Sequence, residues 1–185
     1  GELSGGADVE DDDSLRARLL DRIHQPPQGG AQHDYETWAK DVSGVTRAWC
    51  YPLELGPGTV TVRFVRDDDA SPIPDAAEVA AVQAYIDSVR PVTAQVTVVA
   101  PVAVPLNFAI SGLSPDTAAV RAAVEAELAD LVRREAAPGG TVLISHIRAA
   151  ISAAAGETDY VLTDPTANVV AGIGQMSTMG SVTWS

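Results

Sequence analysis

The 185-residue sequence predicts an α+β fold: two small β-α-β type units, helices packed on one face of mixed or antiparallel sheets, preceded by a short helical segment. Three observations carry this reading. Apolar residues recur at period two in some stretches and at helical spacing in others, and the two textures alternate along the chain. Two helix openers, Pro74-Asp75-Ala76-Ala77 and Pro115-Asp116-Thr117-Ala118, stand 41 positions apart, which suggests two units of related plan. Hydrophobic residues make up 46% and charged residues 20%, as in a folded chain, but aromatics are only 5%. A core of Ala and Val must therefore bury its area through close helix-on-sheet packing.

The first expected helix carries Leu15, Leu19 and Ile23 as one stripe, with Asp13 or Ser14 as its cap and Pro26-Pro27 and Gly29-Gly30 as its stop. A second short helix spans about His33 to Asp41, with Tyr35, Trp38 and Val42 on one face. Val45 to Tyr51 reads as a strand ended by Pro52, and Leu55-Gly56-Pro57-Gly58 as a turn. Thr59 to Arg66 alternates, placing Val60, Val62 and Phe64 together. After the polar loop Asp67-Asp68-Asp69, a helix runs to about Val89 with Val79, Val82 and Ile86 as its stripe, and Pro91 ends it. Val92 to Val99 follows as a strand. The second half begins with a strand from Val104 to Ile110, a turn at Ser111-Gly112, and a helix to about Glu135 striped by Val120, Val124, Leu128 and Leu131. Beyond the break at Pro138-Gly139-Gly140, the reading is a short strand at 141–144 and a helix capped by Ser145 and ended by Gly156. A strand at Tyr160 to Leu162, a turn at Asp164-Pro165 and a last strand from Gly180 to Trp184 complete it. The expected division is 1–43 as linker and N-terminal helical segment, 44–102 as the first α+β unit and 103–185 as the second.

Charge excludes some functions. The formal net charge is −13, and Lys40 is the only lysine among 12 basic residues. That balance repels phosphate backbones and anionic membrane surfaces, so neither nucleic acid nor membrane is an expected partner. Arg suits carboxylate pairing at interfaces, but a GC-rich genome yields the same Arg and Ala bias. Cys50 is alone, in the apolar run Ala48-Trp49-Cys50-Tyr51, and reads as a buried inert thiol. No apolar run reaches the roughly 18 residues of a membrane span. The start, Gly1-Glu2-Leu3-Ser4-Gly5-Gly6, has no signal-peptide pattern and reads like the middle of a longer protein. A linker over Gly1 to Asp13 is expected, ending in the acidic run Glu10 to Asp13.

Candidate chemistry is sparse. A hydrolytic site would have to draw Ser145 and His146 together with a distant acid, and helix capping by Ser145 is the plainer reading. His24 reads as a solvent-facing helix end. Asp67 to Asp69 could form an acidic-loop cation-binding module, yet they lack the D-x-D-x-D-G spacing, and a solvated connection suffices. The run Glu10 to Asp13 has the same two readings. Gly172-Ile173-Gly174 does not continue as a dinucleotide fingerprint, and Gly139-Gly140 lacks the Lys-Ser/Thr of a phosphate loop. Glu125 and Glu127 read as solvated helix flanks. Trp38, Trp49 and Trp184 are the largest contact surfaces, for the core first and a partner second. No catalytic, cofactor-binding or metal residue is assigned.

Several stretches, in order, resemble one family. They are Leu3-Ser4-Gly5-Gly6-Ala7-Asp8 with Asp13-Ser14-Leu15-Arg16-Ala17-Arg18, then Pro26-Pro27-Gln28-Gly29-Gly30 and Gly44-Val45-Thr46-Arg47-Ala48-Trp49. Gly58-Thr59-Val60-Thr61-Val62 and Pro138-Gly139-Gly140-Thr141-Val142 follow. Together they resemble the central and C-terminal part of the baseplate J-like proteins, the family of the phage Mu-type baseplate wedge protein of contractile tails. The resemblance implies a structural, non-enzymatic wedge subunit without cofactor, packed around the hub and linked to sheath contraction. It implies other wedge and hub subunits as partners, with a second copy as a further candidate. It places the protein in the virion tail baseplate, assembled in the bacterial host cytoplasm, and implies that the family's N-terminal portion is missing here.

Overall fold

A computed structural model of the chain describes residues 12–24, 26 and 28–185. Of the linker expected over Gly1 to Asp13, residues 1–11 lie outside the described residues, as does Pro27 of the expected stop, while Asp12 and Asp13 belong to the first helix instead. The elements, in chain order, are α1 (Asp12–His24), α2 (Gln32–Lys40), β1 (Arg47–Pro52), β2 (Thr59–Val65), α3 (Ala76–Val89), β3 (Gln95–Val99) and β4 (Val102–Ser114). Then come α4 (Ala118–Glu135), β5 (Thr141–Val142), α5 (Ile144–Ala153), β6 (Asp159–Asp164), β7 (Val169–Val170) and β8 (Gln175–Trp184). The fold is α+β, with helices laid on mixed sheets.

The first sheet has the order β1-β2-β3. β1 and β2 form an antiparallel hairpin, and β3 returns parallel to β2 after crossing over α3. That is the β-α-β unit the sequence predicts. α3 starts where expected because Asp75 accepts from the Ala77 and Glu78 N–H groups while Glu78 returns a bond to the Asp75 N–H. Tyr35, Ala39, Val62, Phe64, Val82, Ile86 and Val98 are buried together, so α2 and α3 cover one face of this sheet.

The second sheet has the order β6-β4-β8, with β6 antiparallel and β8 parallel to β4. The strand that follows α4 does not return to it. β5 is two residues long and pairs with β7, so the parallel partner of β4 arrives only as β8. Val120, Val124, Leu128 and Leu131 of α4 pack with Phe108, Ile110, Ile147 and Ile151 in the second core.

Several boundaries differ from the sequence reading. β3 begins at Gln95, not Val92, because Pro91 starts a turn whose carbonyl accepts from Ala94; Val92 is 98% exposed. Ser111-Gly112 is no turn: β4 runs through it to Ser114. Gly112 takes φ +63° and donates to the Ser185 carbonyl, absorbing an irregularity in the ladder. Ser145 is not a cap, because α5 already starts at Ile144, whose N–H is met by Asn168 Oδ1 at 3.0 Å. β8 begins at Gln175, five residues before Gly180. α1 includes Asp13 and Ser14, so neither caps it, and its stripe of Leu15, Leu19 and Ile23 is exposed.

Candidate functional site

The odd residues of β1 carry the most structured surface outside the two cores. Ala48 and Cys50 face inward to α2, so strand alternation turns Arg47, Trp49 and Tyr51 to the opposite face. There they meet the second half. Arg47 Nη1 donates to the Ala136 carbonyl at 2.7 Å, and Tyr51 Oη to the Pro138 carbonyl at 2.7 Å. Trp49 packs against the second core, and Val65 of β2 is buried within it. The carbonyls of Ala136 and Pro138 follow the end of α4, where intrahelical partners run out. The first half thus caps the C-terminal end of the second half's longest helix. Arg47 also lies over the Trp49 ring, and Arg63 over the Tyr51 ring.

The acidic loop is part of the same seam. Asp67 accepts from Arg47 Nε at 2.7 Å, Arg47 Nη2 at 2.8 Å and Thr46 Oγ1 at 2.6 Å. Asp68 pairs with Arg133 of α4 at 2.6 Å, and Asp69 with Arg66. Each carboxylate has its own arginine, so the run Asp67 to Asp69 is a tie between segments. Burial alone would raise the Asp67 carboxyl, but the bonds from Arg47 and Thr46 hold it below the ordinary value. Among the described residues, no group of three or more His, Cys, Asp or Glu is placed to hold a metal ion.

A cleft of about 260 Å³ opens beside the seam, walled by Lys40, Trp49, Arg134 and Glu135 among others. Its charges are largely answered: Arg47 by Asp67, Arg134 by Asp130 and Glu135 by His146. His146 Nδ1 stands 2.8 Å from Glu135 Oε2, an imidazole-carboxylate pair on exposed helix ends. Ser145 is exposed, and no hydroxyl bonds His146 among the described residues. Cys50 is 3% exposed, and burial pushes its thiol up to about 12, so it is inert. Gly172 and Gly174 form the turn into β8, where Gly172 donates to Gln175 Oε1 and Gly174 lies against the Arg63 guanidinium. Trp184 packs on the second core, with Arg121 over its ring and Glu125 near its Nε1. Trp38 packs on the first core.

The sequence reading passed over Asp34, which is 3% exposed. It accepts from the Gln28, Gly30 and Ala31 N–H groups at 3.1, 2.8 and 2.9 Å, tying the glycine turn to the start of α2. Its place three residues after Ala31, in a first helical turn, was the available signal.

Strand edges are treated unequally. On β1, Gln32 Nε2 donates to the Cys50 carbonyl and Glu36 Oε1 accepts from the Cys50 N–H. On β3, the Gln83 amide donates to the Val96 carbonyl at 3.2 Å and accepts from the Val98 N–H at 2.7 Å. Helix side chains therefore occupy main-chain groups on both outer strands of the first sheet. In the second sheet Asp159 takes the Tyr160 N–H of β6, and Gly139 takes the Gln175 carbonyl of β8.

Among the described residues, no helix is long and apolar enough to cross a membrane. Comparison with known families matches residues 27–100 to the baseplate J-like central domain and residues 106–185 to the baseplate J-like protein C-terminal domain. The chain is 38% identical to the putative protein JayE of Escherichia coli K12 over 184 residues, covering 99% of this chain and 70% of that protein. It is 38% identical to the Mu-like prophage FluMu protein gp47 of Haemophilus influenzae over 192 residues, 98% of this chain and 54% of the relative. The figures are 38%, 98% and 53% for baseplate protein gp47 of Escherichia phage Mu. The chain thus spans about half the length of these two gp47 relatives.

Proposed function

Because the chain belongs to the baseplate J-like family, carrying its central and C-terminal domains in order, we propose that this phage baseplate structural protein is a wedge subunit. Family membership makes it a structural protein rather than an enzyme. In the proposed role it packs with other wedge and hub subunits, a second copy being a further candidate, in the virion tail baseplate after assembly in the host cytoplasm. It couples that position to sheath contraction. The proposed division is 44–102 and 103–185, preceded by 1–43, and no residue is assigned a catalytic, cofactor or metal role. Nucleic acid and membrane are not among the proposed partners.

The observation that carries this reading is how the chain uses its charge. Arg47, Arg63, Arg66, Arg90, Arg121, Arg133 and Arg134 each have an acidic partner within the molecule. The polar chemistry goes to holding parts of the protein together, as a rigid building module requires. Charged rims then give specificity to its contacts without great affinity. Size-exclusion chromatography with light scattering tests the role, using the full-length protein alone and mixed with neighbouring wedge and hub proteins. A defined complex is expected. A chain that ignores both neighbours would sink the wedge reading.

A further inference from the structure

The first half of β4 is an open strand edge. β6 joins β4 only at Ala109, paired with Asp164, so residues 102–108 have a strand on one side alone. That one neighbour is β8, and the Val102 N–H donates to the Gly174 carbonyl at 2.9 Å. In the parallel register Val102↔Gln175, residues 102, 104 and 106 point their main-chain groups at β8. Ala103, Pro105 and Asn107 therefore point theirs the other way. Val102 is 61% and Val104 37% exposed, and Ala103, Pro105 and Asn107 are exposed as well. No charged residue lies between Val102 and Asn107. Both outer strands of the first sheet have main-chain groups taken by Gln32, Glu36 and Gln83, whereas among the described residues no side chain occupies this edge. The sheet's two outer strands have unpaired sides as well: β6 carries Asp159 and Asp164 at its ends, with Glu157 just before it, whereas β8 is uncharged but gives its Gln175 carbonyl to Gly139 and has Met176 and Ser177 buried.

We propose that this edge receives an extended, uncharged segment of a neighbouring baseplate protein, which adds to the sheet as a strand in line with β6. The inference rests on the baseplate role proposed above. The free N–H and carbonyl groups of Ala103 and Asn107, with the Pro105 carbonyl, supply the recognition. Pro105 has no N–H, so the incoming strand lacks one bond at that position, which marks its register. The same proline argues against a second copy as the occupant. Two β4 edges paired antiparallel about Pro105 would face each other without either central donor. Each copy would also bring a net charge of −13.

Hydrogen exchange with residue resolution tests this on the full-length protein, free and in the complex formed with its neighbours. The Ala103 and Asn107 amides should become protected at least tenfold on assembly. Those of Val102, Val104 and Leu106, already turned to β8, should change little. A complex that forms without new protection at Ala103 and Asn107 overturns strand addition while leaving the baseplate role standing. Protection that appears on self-association of the protein alone also overturns it, in favour of a second copy. Failure to form any complex removes the baseplate role and this inference together. Ala103→Pro deletes one outward donor without touching the β8 ladder. It should weaken incorporation at least tenfold with circular dichroism unchanged, and incorporation at the normal level would overturn the inference.

Discussion

Two residues show how much a single polar group decides here. Asp34 is buried; burial would raise its carboxyl, but the N–H groups of Gly30, Ala31 and Gln28, with His33, hold it below the ordinary value. A carboxyl lowered on folding stabilises the protein above its unfolded value of about 3.9, and that stabilisation is lost as pH falls through the lower folded value. Asp34→Asn should cost about 1–3 kcal/mol at pH 7, the scale for buried donors left unmet. In urea titrations the gap from the wild type should close as the pH drops below 3.9. A gap that persists in acid would assign the loss to shape instead of charge. Arg47 serves Asp67, the Ala136 carbonyl and the Trp49 ring at once. Arg47→Ala strands a carboxylate whose side chain is 6% exposed, so a loss of about 2–4 kcal/mol is expected. A double-mutant cycle with Asp67→Ala should show the two losses to be non-additive, since the second change removes the stranded charge. Leu53 sits at φ +62° and is 64% exposed. Leu53→Gly should raise the melting temperature by relieving about 1 kcal/mol of backbone strain.

At the level of elements, helix stripes and edge caps have separate jobs that the sequence encodes in different ways. The stripes of α3 and α4 follow from spacing alone, and the structure buries Val82, Ile86, Val120, Val124, Leu128 and Leu131. Leu128→Ala should lower stability by about 2–5 kcal/mol in chemical denaturation, because a fully buried branched side chain leaves a cavity. Gln83 was not legible in this way. It lies on a helix but acts on β3, and only the packing of α3 on its sheet brings its amide to Val96 and Val98. Gln83→Leu keeps helix propensity and bulk while freeing that edge. Light scattering should then show concentration-dependent self-association that the wild type lacks. The boundaries at Val92, Ser111-Gly112 and Ser145 misled for a shared reason. Turn and cap residues report local preference, and in each case a ladder or helix start elsewhere in the fold claimed the backbone group first.

For the molecule as a whole, charge and connectivity pull in different directions. With 25 acidic residues against 12 basic ones, most described arginines hold an internal carboxylate, and few cations are left to face outward. A gel-shift assay at about 0.15 M salt should show no binding to duplex DNA, because a net charge of −13 opposes the approach of a phosphate backbone. Composition, hydrophobic period and the ordered run of turn motifs determined the α+β class, most of the elements and the family. Those properties are local, or sums over residues, and need no knowledge of which segment meets which. Tertiary structure decided the pairing of β8 with β4, the short β5-β7 ladder and the seam where Arg47, Trp49 and Tyr51 meet the end of α4. It also decided which strand edges are capped by side chains and that the first half of β4 is left unpaired on one side. Each of these joins residues tens of positions apart, and their partnership is set by burial and by unmet main-chain groups, which appear only when the layers pack.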